Sequence, residues 1–82
     1  MYYFYLFRCQ DNTLYTGSTS SLENREKRHN SGIGAKWTKQ HGQGTIVYSE
    51  AYNTILEARK REVQIKKWSR IKKENLIKGL KP

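Results

Sequence analysis

The segment Tyr2–Arg8 is aromatic and apolar almost throughout, and a second β-prone run, Thr13–Gly17, follows it after Gln10-Asp11-Asn12. Aromatic and β-branched side chains favour strands, and Asp-Asn is turn chemistry, so the first twenty residues predict a β-hairpin. With a loop of about three residues centred on Gln10, Tyr5 and Tyr15 become cross-strand partners on one face. Phe4, Leu6, Leu14 and Thr16 then point to the other. A slip of one residue would separate the two tyrosines. An 82-residue chain with 35% hydrophobic content supports one small core and not two, so residues 1–82 are expected to form a single domain in which any chemistry and any substrate selection share one body.

Helix signals occupy the rest of the chain. Ser20-Ser21-Leu22-Glu23 has the S-x-x-E form of a capping box, predicting a helix from near Ser21 that stops before Gly32. Leu22, Arg25 and His29 share one face of it, at steps of three and four residues. Asn30 to Gly44 is rich in breakers, and its Gly32-Ile33-Gly34 lacks the spacing of a phosphate-binding P-loop. Thr45–Tyr48 has the content of a third strand. Thr54-Ile55-Leu56-Glu57 opens a second helix, expected to run to about Lys67, and Ser69 caps a last one through Ile71, Leu76, Ile77 and Leu80. The sum is an α+β domain, a small three-stranded antiparallel sheet flanked by about three helices. On the longer helix Ile55, Ala58, Glu62 and Ile65 form one stripe, which puts a carboxylate where the periodicity asks for an apolar side chain. Such a group costs stability unless something pairs with it.

Sixteen Lys and Arg against seven Asp and Glu give a net charge of +9. That density favours polyanionic partners and salt-sensitive binding. The single cysteine, Cys9, excludes an internal disulfide, and with only His29 and His41 beside it the sequence does not predict a closed four-ligand zinc site, so any metal is expected on oxygen. The opening apolar run is short, has no basic region before it and gives way to Arg8, which predicts neither a signal peptide nor a membrane span, and a cytoplasmic protein. There is no internal repeat and no low-complexity run.

The strand, turn, strand and helix gather Tyr5, Tyr15, Gly17, Arg25 and His29 into one cluster that Glu62 can join. A proton acceptor, a charge clamp and a metal ligand are what metal-assisted cleavage of a phosphodiester needs, and the basic chain around them points to nucleic acid as substrate. Taken singly, each residue has a plainer reading. Tyr5 and Tyr15 can simply fill the hairpin, Arg25 and His29 can be solvated helix residues, and Glu62 can pair with Arg59 or Lys66 for a few tenths of a kcal/mol. Arg59, Lys60, Arg61, Lys66 and Lys67 read as mostly solvated. Trp37, Trp68 and Tyr48 either stack on unpaired bases, worth roughly 1 to 3 kcal/mol each, or pack in the core.

In order and spacing, Tyr3-Phe4-Tyr5, Tyr15-Thr16-Gly17, Leu22-x-x-Arg25-x-x-x-His29 and a later helix carrying Glu62 resemble the GIY-YIG nuclease family, most closely its short stand-alone bacterial members. The resemblance implies that Tyr5 and Tyr15 flank the scissile phosphate, with Tyr15 the general base. It implies that Arg25 stabilises the phosphorane-like transition state, that His29 positions or relays the nucleophile's proton, and that Glu62 holds a single magnesium ion, for which manganese can substitute. Gly17 is expected to let the backbone turn from the second strand into the loop before the helix. Gly17, Ser18 and Lys36 are expected at the nucleic acid; Ser18 stands where the bacterial excision-repair nuclease subunit carries a lysine, whose part Lys36 can take. Tyr3 replaces the first glycine of the family name, and Asn75 is the one candidate near the place of a late asparagine used by some members, with no role assigned to it. The expected activity is metal-dependent hydrolysis of DNA, with a protein partner as one source of specificity. The alternatives are a DNA- or RNA-binding module of the same fold that does not cut, and a structural component of a ribonucleoprotein.

Overall fold

Tyr2–Cys9 forms β1, the central strand of a three-stranded antiparallel sheet of order β2-β1-β3, in which β2 is Leu14–Thr19 and β3 is Gly44–Tyr52. Among the described residues the helices that pack on it are α1 (Leu22–Ser31), α2 (Ile55–Lys66) and α3 (Arg70–Ile77). The computed structural model describes residues 1–31 and 41–81. The α+β class and the sheet-and-helix architecture are those the sequence implies. Strand β1 is apolar at consecutive positions because both of its faces are covered, and Phe4 through Phe7 are each no more than 1% exposed. On one face Phe4 and Leu6 meet Ile65 of α2, with Trp68, Leu76 and Ile77 around them. On the other, Tyr5, Phe7 and Cys9 are covered by Tyr15, Ile46 and Leu22 of α1. Among the described residues no helix is long and apolar enough to cross a membrane.

The hairpin register differs from the expected one by two residues. Tyr5 pairs with Gly17, and Tyr15 lies opposite Phe7. The loop is longer because Asp11 accepts from both the backbone N–H and the hydroxyl of Thr13, while Asn12 takes a left-handed φ of 70° and Cys9 N–H closes onto Thr13 O. A shift of two leaves every side chain on its face, so Tyr5 and Tyr15 remain neighbours, now diagonal. The third strand runs four residues past its expected end. Glu50 breaks the apolar pattern there, yet it sits in the sheet because Arg61 grips its carboxylate through two nitrogens and the hydroxyls of Tyr48 and Tyr52 donate to it. Arg61 also lies over Trp68, 5.4 Å from the ring centre, so it is a packed residue and not a solvated one. Tyr48 and Trp68 belong to this packing against Phe4 and Leu6, and the base-stacking reading is not needed for either. Trp37 lies outside the described residues.

Helix α1 has Leu22 as its only apolar residue, and polar contacts complete its docking. Asn30 donates to Gly44 O and accepts from Gly44 N–H, and Glu26 accepts from Ile46 N–H, so two side chains one turn apart satisfy the outer edge of β3. Gly44 leaves no room for anything else, since a Cβ there would stand 2.0 Å from Arg8 O. Asn30→Ala is therefore expected to lower stability by about 1 to 3 kcal/mol, the cost of leaving half-buried strand groups unpaired, read from urea unfolding.

The caps are local and mostly as expected. Thr54 and Ser69 each accept from the N–H three residues on. At α1 the cap is Ser21 and not Ser20, and Glu23 reaches along the helix to Lys27. Helix α3 stops at Ile77, short of Leu80, because Gly79 turns to a φ of 77° and Leu80 N–H closes onto Asn75 O. Glu74 fastens α3 to the hairpin through a bidentate bond from Arg8 (2.9 and 2.6 Å), and Arg70 of the same helix donates to it as well.

These bonds give a pH dependence. Arg8 above all, with Arg70, holds the Glu74 carboxyl at about 2 against an ordinary 4.5. Burial opposes ionisation of Glu50, but Arg61 and the two tyrosine hydroxyls outweigh it and hold that carboxyl below its ordinary value. A carboxylate whose pKa is lower in the folded state stabilises the fold fully above its unfolded pKa. The thermal midpoint is expected to be flat above about pH 5 and to fall between roughly pH 4.5 and pH 2. Glu74→Gln should lower the plateau and flatten part of that decline.

Candidate active site

Tyr5 stands on β1 directly opposite Gly17 of β2, and a glycine is required at that position. A Cβ on Gly17 would lie 2.5 Å from the Tyr5 hydroxyl, 2.7 Å from its Cζ and 3.0 Å from Tyr15 Cε1. Gly17 lies inside β2, so its part is to make a seat for Tyr5 and not to turn the chain. The seated phenol meets His29 across the sheet face, with the hydroxyl 3.2 Å from Nε2. Helix α1 delivers His29 there because Leu22, two turns earlier, packs against Tyr5 and Phe7. The imidazole stacks on Phe7 with ring centres 4.5 Å apart and meets the Tyr15 ring edge-on at 5.0 Å. Tyr5 and Tyr15 are 6.2 Å apart.

Burial, then the nearby Arg25 charge, holds the His29 imidazole below its ordinary pKa, so it is neutral at pH 7. Burial pushes the Tyr5 phenol well above the usual tyrosine range, against the lowering pull of Arg25. Tyr5 is 1% exposed, whereas Tyr15 on the edge strand is only half buried. The two tyrosines are thus chemically distinct: one is a fixed phenol inside the protein, and the other reaches the surface.

Glu62 approaches from α2 on the opposite face of the sheet and arrives at the β2 edge. Ser18, adjacent to Gly17 and therefore facing the other way, donates its hydroxyl to Glu62 Oε1 at 2.7 Å. The second oxygen, Oε2, pairs with Lys66 at 2.8 Å, one of the partners the periodicity offered; Arg59 is not the partner. The pair raises the Lys66 pKa, chiefly through the hydrogen bond. Glu62 and Arg25 both act on the Tyr5 phenol, and Tyr15 acts on Lys66, so the candidate residues share one electrostatic field around the β2 edge. The structure thus brings together Tyr5, Tyr15, Gly17, Arg25 and His29 on one side and Ser18 and Glu62 on the other. Lys36 lies outside the described residues.

The donor set suits a hard cation. Among the described residues no three His, Cys, Asp or Glu side chains converge on a common centre. A single oriented carboxylate fits an ion that keeps most of its water and takes its remaining ligands from a phosphate. The ammonium now on Oε2 belongs to a Lys66 side chain that is 55% exposed and free to swing into solvent. Glu62 is the residue that would hold such an ion.

Beside this cluster lies a cleft of about 340 Å³ lined by Arg25, Arg28 and Arg59 together with Ser18, Asn24 and Tyr2. The sequence reads Arg59 only as a solvated residue or a partner of Glu62, and gives Arg28 no part. Their only signal is an i, i+3 spacing to Arg25 and to Glu62, which is common on any basic helix.

A profile of the GIY-YIG catalytic domain matches residues 1–75. The chain is 47% identical over 77 residues to a UPF0213 protein of Clostridium perfringens, covering 94% of this chain and 83% of the relative. It is 46% identical to one of Staphylococcus saprophyticus, covering 93% of each. Two solution NMR structures share its fold at 39% identity. A UPF0213 protein of Bacillus halodurans superposes with a TM-score of 0.60 over 95% of this chain and 84% of its own, and a protein of E. faecalis with 0.61 over 95% and 83%. A catalytic-domain profile spanning residues 1–75 and relatives nearly half identical over almost the whole chain show that the chain belongs to the GIY-YIG nuclease family.

Proposed function

We propose that the protein is a metal-dependent endonuclease that hydrolyses a phosphodiester bond in DNA, with Tyr15 as general base, Arg25 on the transition-state charge and Glu62 as the ligand of one magnesium ion. The observation that carries the reading is the division of labour between the tyrosines. Tyr5, held in the Gly17 seat and bonded to His29, is too buried to give up its proton, which leaves Tyr15 at the surface to meet water. A preformed phenolate is not what the step needs. Partial transfer suffices, because Tyr15 takes the proton as the water oxygen attacks phosphorus and the bond to the leaving sugar oxygen breaks. Neutral His29 keeps Tyr5 and Tyr15 in place without adding positive charge that would compete with Arg25. A planar guanidinium suits the equatorial oxygens as charge builds on them. Magnesium on Glu62 would supply charge neutralisation at the phosphate and lower the pKa of a bound water.

One observation favours the second reading, a module that binds DNA or RNA without cutting. Glu62 is already satisfied by Ser18 and Lys66, and a satisfied carboxylate needs no metal. Incubation of the purified protein with supercoiled and with branched DNA, in magnesium, in manganese and in chelator, separates the two. Nicking that requires a metal is expected. Tight, salt-sensitive binding with no nicking in any metal would establish the binding module instead.

A further inference from the structure

The cleft beside the reaction centre is built for more than the scissile phosphate. Its volume of about 340 Å³ is roughly that of ten waters at about 30 Å³ each, far more than a bare phosphate fills. Among the described residues no aspartate or glutamate lines it, and Arg25, Arg28 and Arg59 have no carboxylate partner, whereas Arg8, Arg61 and Arg70 are each tied to one. Three arginines border one cleft, and like charges gathered there favour an anion between them. The cleft is also continuous with the catalytic cluster, because Arg25 and Ser18 belong to both. Its remaining wall includes the half-buried ring of Tyr2, a flat surface for a sugar or a base, and the Asn24 amide.

We infer that this cleft holds the nucleotide next to the bond being cut, with Arg28 and Arg59 gripping the phosphate on its far side while Arg25 attends to the scissile one. The inference rests on the nuclease reading for its placement. Arg28 comes from α1 and Arg59 from α2, so an occupied cleft also bridges two helices on opposite faces of the sheet. The occupant selects a continuing strand over an isolated phosphodiester. It fixes the direction in which the strand leaves Tyr15.

Arg28→Gln combined with Arg59→Gln tests this, both sites being exposed and glutamine a good helix former. A control pair, Lys78→Gln with Lys81→Gln, removes equal charge outside the cleft. Two measurements are made: anisotropy of a labelled 12-bp duplex in chelator at several salt concentrations, and steady-state cleavage of the same duplex in magnesium. Loss of the far-side phosphate contact is expected to make the slope of log K against log salt shallower by about 1, to raise KM about tenfold and to leave kcat unchanged. The control pair should change the slope by less than half as much. An unchanged slope and KM, or an equal loss in the control pair, would overturn the cleft. Absence of cleavage by the wild type would count against the nuclease reading alone, since the salt slopes still decide whether the arginines hold phosphate.

Discussion

Glu62→Ala is expected to reduce metal-dependent cleavage at least about a hundredfold while leaving the fold almost untouched. The two effects have different sources. For activity, a metal contributes several kcal/mol of charge stabilisation, and each 1.36 kcal/mol is a factor of ten. For stability, the variant loses an ion pair to a mostly exposed Lys66, worth a few tenths of a kcal/mol, and one hydrogen bond from Ser18, worth about 1 kcal/mol. The Ser18 hydroxyl is half buried and can turn to water. DNA affinity in chelator should stay the same or rise, because a negative charge leaves a basic surface. A loss of cleavage accompanied by a collapse of the thermal midpoint would instead make Glu62 a structural pairing partner.

Gly17→Ala is expected to do the reverse and damage fold and activity together. The new methyl would overlap the Tyr5 hydroxyl and Cζ, and Tyr5 is enclosed and cannot swing aside. Overpacking of this kind costs about 1 to 3 kcal/mol, which for a chain of this size lowers the thermal midpoint by roughly 5 to 20 °C. Displacing Tyr5 also breaks its bond to His29 and moves the Tyr15 ring, so cleavage should fall even at temperatures where the variant is folded. Adding Tyr5→Phe removes the closest contact, at 2.5 Å, but leaves the one at 2.7 Å, so stability should recover in part and activity should not. If Gly17→Ala folds and cuts like the wild type, the seat is not what orients Tyr5.

The parts of this account that were legible in the sequence are those governed by neighbours along the chain. Thr54 and Ser69 cap their helices because a cap is a bond over three residues, and Leu22, Arg25 and His29 share a face because a helix has a fixed period. Tyr5 and Tyr15 stay on one face despite the wrong loop length, since the error was an even number of residues. What was hidden depends on partners far away. Gly17 reads as a turn residue from sequence, and only the opposite strand reveals the ring it accommodates. Glu50 ends a strand pattern until Arg61, eleven residues on, neutralises it within the sheet. Ser18 looked like a missing lysine and proved to be the residue that orients Glu62, forty-four positions away. Arg28 and Arg59 become a pair only when the fold brings α1 and α2 to border one cleft beside β2.

Turnover of supercoiled DNA by wild type and Arg25→Ala, side by side in magnesium at protein concentrations that saturate binding, tests the central claim most directly. Saturation removes affinity from the comparison and leaves the chemical step. Arg25 has no carboxylate partner among the described residues, so its removal should not disturb folding. The account predicts that the wild type nicks the DNA, that the variant is slower by about 10² to 10³, and that both shift the DNA equally on a gel. Equal nicking by both proteins, or none by either, would contradict it.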